Sequence, residues 1–224
     1  MKGILIVAAH PDDEVLGCFG TVAKMIRNGY EAYTLVLSGG KASRSNVDRK
    51  EIQLLKKEMR KANAEIGIRE VFQENFPDNA FDSVPLLDIV KAIETVKDRV
   101  APEVVFTHHV GDLNIDHQLT HRAVLTATRP MKGECVKTIY AMEVPSSTEW
   151  NGFSRDTVFV PNVFFDISET LDLKLKAMAH YASELRDYPH PRSLQHIREL
   201  AIVNGTKVGL TCSENFMLLR SIHG

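Results

Sequence analysis

The chain of 224 residues has little of what marks several large classes of protein. Its three cysteines, Cys18, Cys135 and Cys212, are far apart and form no Cys-x-x-Cys pair, which argues against a disulfide framework and a thiolate zinc site. With 27 basic and 29 acidic residues, the net charge of −2 gives no basic surface for nucleic acid or an anionic membrane. No apolar run is long enough for a membrane span. We therefore expect a cytoplasmic protein with a small-molecule partner.

Two familiar motifs are also missing. No Gly-x-Gly-x-x-Gly follows the first predicted strand, and the second ends in Ser38, Gly39 and Gly40 rather than in an acidic residue, which argues against dinucleotide binding. No Gly-x-Ser-x-Gly occurs, and Cys18 lies in an apolar helical segment, so a serine or cysteine nucleophile is not favoured. The remaining composition, 44% hydrophobic and 25% charged, suits one sizeable core. We expect a single domain over residues 1–224, with the N-terminal apolar run part of the mature chain.

Patterns typical of buried strands and amphipathic helices alternate along the chain. Four such alternations predict a parallel sheet with helices on both faces, and hence an α/β fold. The predicted strands cover residues 4–8, 32–37, 71–72, 104–107, 138–142, 163–166 and about 216–219. The predicted helices cover residues 15–26, 48–66, 86–100, 118–128, 168 to about 185, and 194–203.

A polar cluster follows the first strand, where His10, Pro11, Asp12, Asp13 and Glu14 lead into a helix. In open α/β sheets, ligands bind at this carboxyl edge of the strands. One imidazole and three carboxylates so close together favour a bound cation, because the carboxylates would otherwise repel one another. The alternative is helix capping by Asp12 or Asp13, with Glu14 in the first turn. Capping accounts for one or two carboxylates but not for the histidine.

A second polar cluster, residues 108–121, follows the fourth strand and contains Asn114, Asp116 and several histidines. If both strands belong to one sheet, the two clusters meet in one crevice. His10, Asp13 and one histidine of the second cluster would then supply three ligands for a catalytic zinc, leaving Asp12 as a general base. Such a site favours attack of water on an amide or ester, with Asn114 or His190 stabilising the oxyanion.

Other residues give weaker indications. Arg49 stands in the first turn of a helix, where the dipole disfavours its charge, so it either points at a ligand or is simply solvated. Asp78 belongs to a Pro-Asp-Asn turn. His190 and Arg192 lie in Tyr-Pro-His-Pro-Arg-Ser, where the two prolines hold the backbone extended. This segment either presents the two side chains to an anionic or hydrogen-bonding ligand or is a stiff connector between two helices. The segment 143–162, with Trp150, is predicted to be a lid, an oligomer contact or a surface loop.

Together the motifs resemble a known family. Ala-His-Pro-Asp-Asp-Glu after the first strand and Asp-x-Asn-x-Asp-His after the fourth are similar to motifs of the PIG-L, or LmbE-like, zinc-dependent N-acetylglucosaminyl deacetylases. The resemblance covers nearly the whole chain. It implies a single-domain Rossmann-like three-layer sandwich with a mostly parallel sheet. It also implies zinc bound by His10, Asp13 and His117, with Asp12 as general base, and a homo-oligomer, either a trimer or a hexamer.

One position departs from the pattern of many relatives, because Asn114 stands where they have a histidine that supports the oxyanion or acts as acid. We therefore assign the general acid to His190, an orienting role to Asp116, and contacts with sugar hydroxyls to the set Arg49, Asp78 and Arg192. The expected function is removal of an N-acetyl group from an N-acetylglucosamine-type amino sugar or its conjugate. The same ligands would accept other divalent transition metals. The alternative is a nucleotide- or metal-binding α/β protein without amidase activity.

Overall fold

A computed structural model describes residues 2–40, 49–152 and 154–223. The strands form one seven-stranded sheet in the order β3-β2-β1-β4-β5-β7-β6. These strands are β1 (Gly3–Ala8), β2 (Glu31–Ser38), β3 (Glu70–Phe76), β4 (Val104–His108), β5 (Thr138–Met142), β6 (Val163–Asp166) and β7 (Ser213–Ser221). The helices of the described residues are α1 (Asp13–Arg27), α2 (Arg49–Ile66), α3 (Leu86–Val100), α4 (Ile115–Ala127), α5 (Leu171–Ala179) and α6 (Leu194–Thr206).

The order of the strands creates a crevice between β1 and β4. Strands β1 to β5 are parallel, whereas β7 pairs antiparallel with both β5 and β6. The chain moves outward from β1 through β2 to β3 and then returns to β4 on the other side of β1. The carboxyl ends of β1 and β4 therefore flank the point where the strand order reverses, the usual ligand site of such sheets.

Helices cover both faces of the sheet. Ile4 and Ile6 of β1 pack into a core that includes buried residues of α1, α2, α5 and α6, whereas Leu5 and Val7 pack against α3 and α4. Burial on both faces explains why β1 is continuously apolar rather than alternating. This three-layer arrangement confirms the predicted α/β fold. Among the described helices, none has both the length and the apolar content of a membrane span.

The predicted helix of residues 168–185 is wrong at both ends, because α5 covers only Leu171–Ala179. Two tertiary contacts end it. Tyr181 turns fully into the core, where its hydroxyl donates to Glu14 Oε1 at 2.5 Å. Ser183 Oγ then donates to Glu58 Oε2 at 2.7 Å. Helical periodicity in the sequence does not report such long-range hydrogen bonds.

Helix α4 begins three residues earlier than predicted, at Ile115 rather than at residue 118. Asn114 is its N-cap, since Asn114 Oδ1 accepts a hydrogen bond from the Asp116 amide at 2.8 Å. Asp116 and His117 consequently lie in the first turn of a helix. The predicted third strand, residues 71–72, is shorter than the observed β3, Glu70–Phe76. Within the segment 143–162 the structure has a 3₁₀ turn, Thr148–Asn151. Residues 41–46 of the predicted polar loop and residue 48 of the second predicted helix lie outside the described residues.

Candidate active site

Three donor atoms from the two polar clusters converge at the crevice. His10 Nδ1 lies 3.2 Å from His117 Nε2 and 3.4 Å from Asp13 Oδ2, and the last two atoms are 3.3 Å apart. Ligand atoms about 2.0–2.1 Å from a tetrahedral zinc lie about 3.3–3.4 Å from one another. The three side chains, which form a possible metal-binding group, therefore have both the chemistry and the spacing to hold one divalent transition metal.

Each of the two imidazoles has a carboxylate at its other nitrogen. His10 Nε2 lies 3.0 Å from Asp116 Oδ2, and His117 Nδ1 lies 3.1 Å from Asp112 Oδ2. A carboxylate there keeps the proton on the outer nitrogen and leaves the inner one free to ligate, which is typical of metal-binding histidines. These contacts further favour a metal between His10, Asp13 and His117.

Asp112, to which the sequence analysis gave no role, is held rigidly. Its carboxylate is completely buried and accepts hydrogen bonds from the Asn114 amide at 2.9 Å and from Thr148 Oγ1 at 2.7 Å. Ser147 Oγ makes a further short hydrogen bond to it. Asp112 thereby connects His117 to the segment that contains Trp150. The only sequence signal for it was its place at the start of the Asp-x-Asn-x-Asp-His run.

Three carboxylates, those of Asp13, Asp112 and Asp116, surround the imidazoles of His10 and His117. Burial alone would lower the pKa of both histidines, but Asp116 and Asp13 outweigh it and raise the pKa of His10 to about 9. In the same way Asp13 and Asp112 raise the pKa of His117 to about 10. Burial would raise the pKa of Asp13, but the two histidines hold it well below its usual range. Such a cluster attracts cations, either protons or a metal.

His108 packs beside this cluster without joining it. Its ring stacks on His117 with centroids 3.9 Å apart, and its Nε2 accepts the Ala9 amide hydrogen at 2.8 Å. Burial and the neighbouring His117 lower the pKa of His108 to about 3, so the ring is neutral. His108 Nε2 also lies 3.5 Å from Asp13 Oδ2, but it already accepts the Ala9 amide hydrogen. Among the histidines of the second cluster, His117 is the one with a nitrogen close to both His10 Nδ1 and Asp13 Oδ2.

Asp12 has an unusual backbone conformation at the start of α1. Its φ of 95° is left-handed, and its side chain makes no capping hydrogen bond, contrary to the capping alternative. Its carboxylate instead lies 3.3 Å from Arg192 Nη1. Burial first, and then the neighbouring Asp13, raise the pKa of Asp12 well above its ordinary value, while Arg192 opposes them. The Asp12 carboxylate is thus turned away from the helix backbone and toward a cavity.

Glu14 holds this conformation in place. It is fully buried, and its Oε2 accepts the Asp12 amide hydrogen at 3.1 Å. Its Oε1 accepts hydrogen bonds from Tyr181 and from Asn63 Nδ2, the latter at 2.9 Å. Burial is the main reason that the pKa of Glu14 rises to about 7. From the sequence alone Glu14 is expected only in the first helical turn, and its contact with the Asp12 amide is seen only in the structure.

A polar cavity of about 190 Å³ opens above the three candidate ligand atoms. Besides the three donor residues it is lined by Asp12, Asp78, Asn114, Glu184 and Arg192, among others. Four of the predicted catalytic and sugar-binding residues therefore meet here, and Glu184, which the sequence analysis missed, pairs with Arg192 Nη1 at 3.3 Å.

The other predicted site residues lie outside the described cavity lining. Asp116 is buried behind His10, and Arg49 is exposed at the start of α2. The structure does not bring His190 into the lining either. His190 Nδ1 accepts the Arg192 amide hydrogen at 3.0 Å, and its ring meets Trp150. Burial and Arg192 lower the pKa of His190.

Asn114 has most of its hydrogen-bonding capacity in use. Its Oδ1 caps α4, and its Nδ2 donates to Asn79 Oδ1 at 2.8 Å. An amide nitrogen carries two hydrogens, and among the described residues only Asn79 accepts one of them, so the second is available to a ligand in the cavity. Asn79 has a left-handed φ of 53°, and its hydrogen bond with Asn114 joins the Asp78–Asn79 turn to the start of α4.

The chain is similar to known deacetylases. Residues 5–128 match the family model PIG-L, described as GlcNAc-PI de-N-acetylase. An uncharacterized deacetylase of Escherichia coli K12, YaiS, is 30% identical over 81% of this chain and 91% of its own length. Diacetylchitobiose deacetylase of Thermococcus kodakarensis is 25% identical over 99% of this chain and 85% of its own.

The fold is also shared with an enzyme of different chemistry. The structure of GalB from Pseudomonas putida KT2440, a 4-carboxy-2-hydroxymuconate hydratase, has a TM-score of 0.76 at 21% identity and covers 100% of this chain and 98% of its own. That likeness concerns the fold alone. The family match is more specific, because it spans His10, Asp12, Asp13 and His117 and confirms the predicted class, a hydrolytic N-deacetylase. The chain belongs to the PIG-L family of de-N-acetylases.

Proposed function

We propose that this protein is a zinc-dependent hydrolase that removes the N-acetyl group from an N-acetylglucosamine-type amino sugar or its conjugate. The observation that carries the proposal is the convergence of His10, Asp13 and His117 beside the Asp12 carboxylate, at the floor of a polar cavity. The names of the family and of the Thermococcus relative, which refer to N-acetylated glucosamine compounds, support the substrate class.

We assign His10 Nδ1, Asp13 Oδ2 and His117 Nε2 as the ligands of one zinc ion. Two imidazoles and a carboxylate at tetrahedral spacing suit zinc, although iron or cobalt can use the same ligands. A cation bound there supplies Lewis acidity, which polarises the amide carbonyl and makes water a better nucleophile at neutral pH. Asp116 and Asp112 orient the two imidazoles from behind.

Asp12 is our general base. Its carboxylate faces the cavity and accepts the proton of the attacking water, and Glu14 and Arg192 fix its position. As the carbonyl oxygen becomes negative, the unused hydrogen of Asn114 Nδ2 stabilises it. Asp78 and Arg192 line the cavity and are assigned to sugar hydroxyls. Arg49, which is exposed at the start of α2 and is not among the lining residues, is assigned to them as well.

The departing amine needs a proton, and His190 remains our candidate for this general acid. Its place outside the cavity lining means that it must reach the amine from the rim. His190→Ala is therefore expected to lower kcat and to remove the alkaline limb of the pH profile. Near-normal turnover with an unchanged profile would exclude the role and leave Asp12 to return the proton itself.

The proposed function is tested by acetate release from a panel of N-acetylglucosamine conjugates, together with metal analysis of the purified protein. Asp12→Ala is the matched variant, because Asp12 is not a proposed ligand. We expect zinc to be retained and acetate release to be abolished in that variant. Metal-replete wild-type protein that releases acetate from no N-acetyl sugar would instead favour a metal-binding protein without turnover.

Two further expectations from the family resemblance stay predictions. A trimer or hexamer is checked by light scattering coupled to size-exclusion chromatography, and a cytoplasmic location by fractionation of the cells that produce the protein. Neither is needed for the chemistry assigned to Asp12.

A further inference from the structure

A lysine and a glutamate form an ion pair in the core beside α1. Lys174 of α5 and Glu214 of β7 are each 5% exposed, and Lys174 Nζ lies 2.6 Å from Glu214 Oε1. Removing two charges from water costs free energy that their attraction offsets only in part, so a buried ion pair is weak evidence for a gain in stability. The contacts of the pair with α1 indicate a different role.

Both charged groups bind the backbone in the middle of α1. Glu214 accepts the Gly20 amide hydrogen at 2.9 Å and the Thr21 amide hydrogen at 2.6 Å. In a regular helix these amides donate to the carbonyls four residues earlier, the first of which belongs to Leu16. Each amide carries a single hydrogen, so Glu214 takes or shares both hydrogens with those carbonyls. Lys174 Nζ in turn donates to the Leu16 carbonyl at 2.7 Å.

The sequence of α1 permits this close approach at Gly20. A Cβ at that position would lie only 3.0 Å from Glu214 Oε1, so a larger residue would crowd the carboxylate. Thr170 Oγ1, just before α5, also donates to the Gly20 carbonyl at 2.7 Å. Side chains from two other elements therefore hold α1 by its backbone at this level.

Leu16 connects the ion pair to the candidate active site. Its amide donates to the carbonyl of Asp12, the proposed base, at 3.0 Å, and its carbonyl accepts from Lys174. Asp13, a proposed ligand, lies in the same helical turn. Leu16 lines both the active-site cavity and a second cavity of about 30 Å³, which Lys174 and Glu214 line as well. Because Leu16 has a cavity on each side, packing alone leaves this turn room to shift.

We propose that Lys174 and Glu214 are positioning residues of the active site. By binding the backbone in the middle of α1, they fix where the first turn of the helix places the Asp12 carboxylate and Asp13 Oδ2. The pair thus contributes geometry rather than stability. The inference rests on the proposed function where it concerns turnover, whereas its consequence for zinc affinity can be measured without turnover.

The test replaces the ion pair by apolar residues of similar size, in Lys174→Met/Glu214→Leu. The Gly20 amide can then return to the Leu16 carbonyl, so the midpoint of urea unfolding should stay at or above the wild-type value. We expect kcat for acetate release to fall about 10–100-fold with KM changed less than about twofold, and zinc affinity to fall about tenfold. Lys174→Gln/Glu214→Gln, which keeps a donor and an acceptor, should recover most of both losses.

The matched control is Lys97→Met/Glu134→Leu, in a second lysine–glutamate pair. Lys97 Nζ donates to Glu134 and to the carbonyl of Ala127, and Glu134 accepts the Val136 amide hydrogen. This pair resembles the first in its contacts, but Ala127 lies at the end of α4 opposite to His117. Its replacement should leave kcat and zinc affinity within about twofold of the wild-type values.

A stable apolar variant with wild-type kcat and wild-type zinc affinity overturns the inference, and so do equal losses in the control. If the apolar variant does not fold, NMR couplings across hydrogen bonds in the wild-type protein decide. The Thr21 amide nitrogen should couple to the Glu214 carboxylate carbon, and coupling to the Gly17 carbonyl alone would overturn the inference. Wild-type protein that binds zinc but releases no acetate refutes the proposed function instead, and the zinc affinities of the variants then test the positioning role.

Discussion

The contact between Asp112 and His117 allows a sharp prediction for Asp112→Asn. His117 Nδ1 lies 3.1 Å from Asp112 Oδ2 in an ion-pair contact, and the Asn114 amide donates to Asp112 Oδ1. In the variant, one of these two oxygens becomes an NH₂ group. If NH₂ faces His117, the imidazole must move its proton to Nε2, the nitrogen that we assign to the metal. If NH₂ faces Asn114 instead, a buried amide hydrogen has no acceptor.

Either orientation of the new amide is expected to weaken zinc binding. Loss of such a supporting carboxylate typically weakens metal binding about 10–100-fold, or about 1.4–2.7 kcal/mol. The zinc dissociation constant is measured by competition with a chromophoric chelator, and circular dichroism checks the fold. Ser147→Ala is the control, because it removes a hydrogen bond to Asp112 but keeps the carboxylate, and it should change the affinity less than about threefold. A folded Asp112→Asn protein with wild-type zinc affinity would refute the reasoning.

Three further predictions concern the base, pH and packing. Asp12→Asn should keep its zinc but lose about 10²–10⁴-fold in kcat, as measured by acetate release, and a loss below tenfold would exclude Asp12 as base. Because the raised pKa values of His10 and His117 keep protons on the metal-free site at neutral pH, zinc binding should release at least one proton and weaken about tenfold or more for each unit by which the pH falls. Calorimetry in buffers of different ionisation enthalpy measures that release, and pH-independent affinity would contradict it. Gly205→Ala should lower the free energy of unfolding by about 1–3 kcal/mol, because its Cβ would lie 2.5 Å from the Cys212 Cα. Urea unfolding measures this change. An unchanged midpoint of the unfolding transition would show that the backbone shifts to make room for the methyl group.

The fold was largely predictable because its signals are local. Each buried parallel strand is a short apolar run, and the helices between them have regular apolar faces, so strand β5 and helix α3 were predicted with their observed bounds. The end of α5 was not predictable in this way. It depends on Tyr181 reaching Glu14 and on Ser183 reaching Glu58, and both partners are distant in sequence.

The three proposed metal ligands were predictable because they belong to two sequence motifs. The meeting of His10, Asp13 and His117 follows from the rule that the carboxyl ends of neighbouring parallel strands share one edge. The supporting residues were harder to find. Asp112 acts through an ion-pair contact with His117, and Glu14 through a hydrogen bond from the Asp12 amide. Glu184 comes from a segment predicted to be helical. No periodicity identifies residues of this kind.

The most direct test of a metal held between β1 and β4 is stepwise addition of zinc to chelator-treated protein while acetate release is recorded. Activity should rise in proportion to added zinc, reach a plateau at one equivalent per chain, and stay absent at that point in His117→Ala. Full activity in the metal-free protein, or an identical titration curve for His117→Ala, would contradict the account.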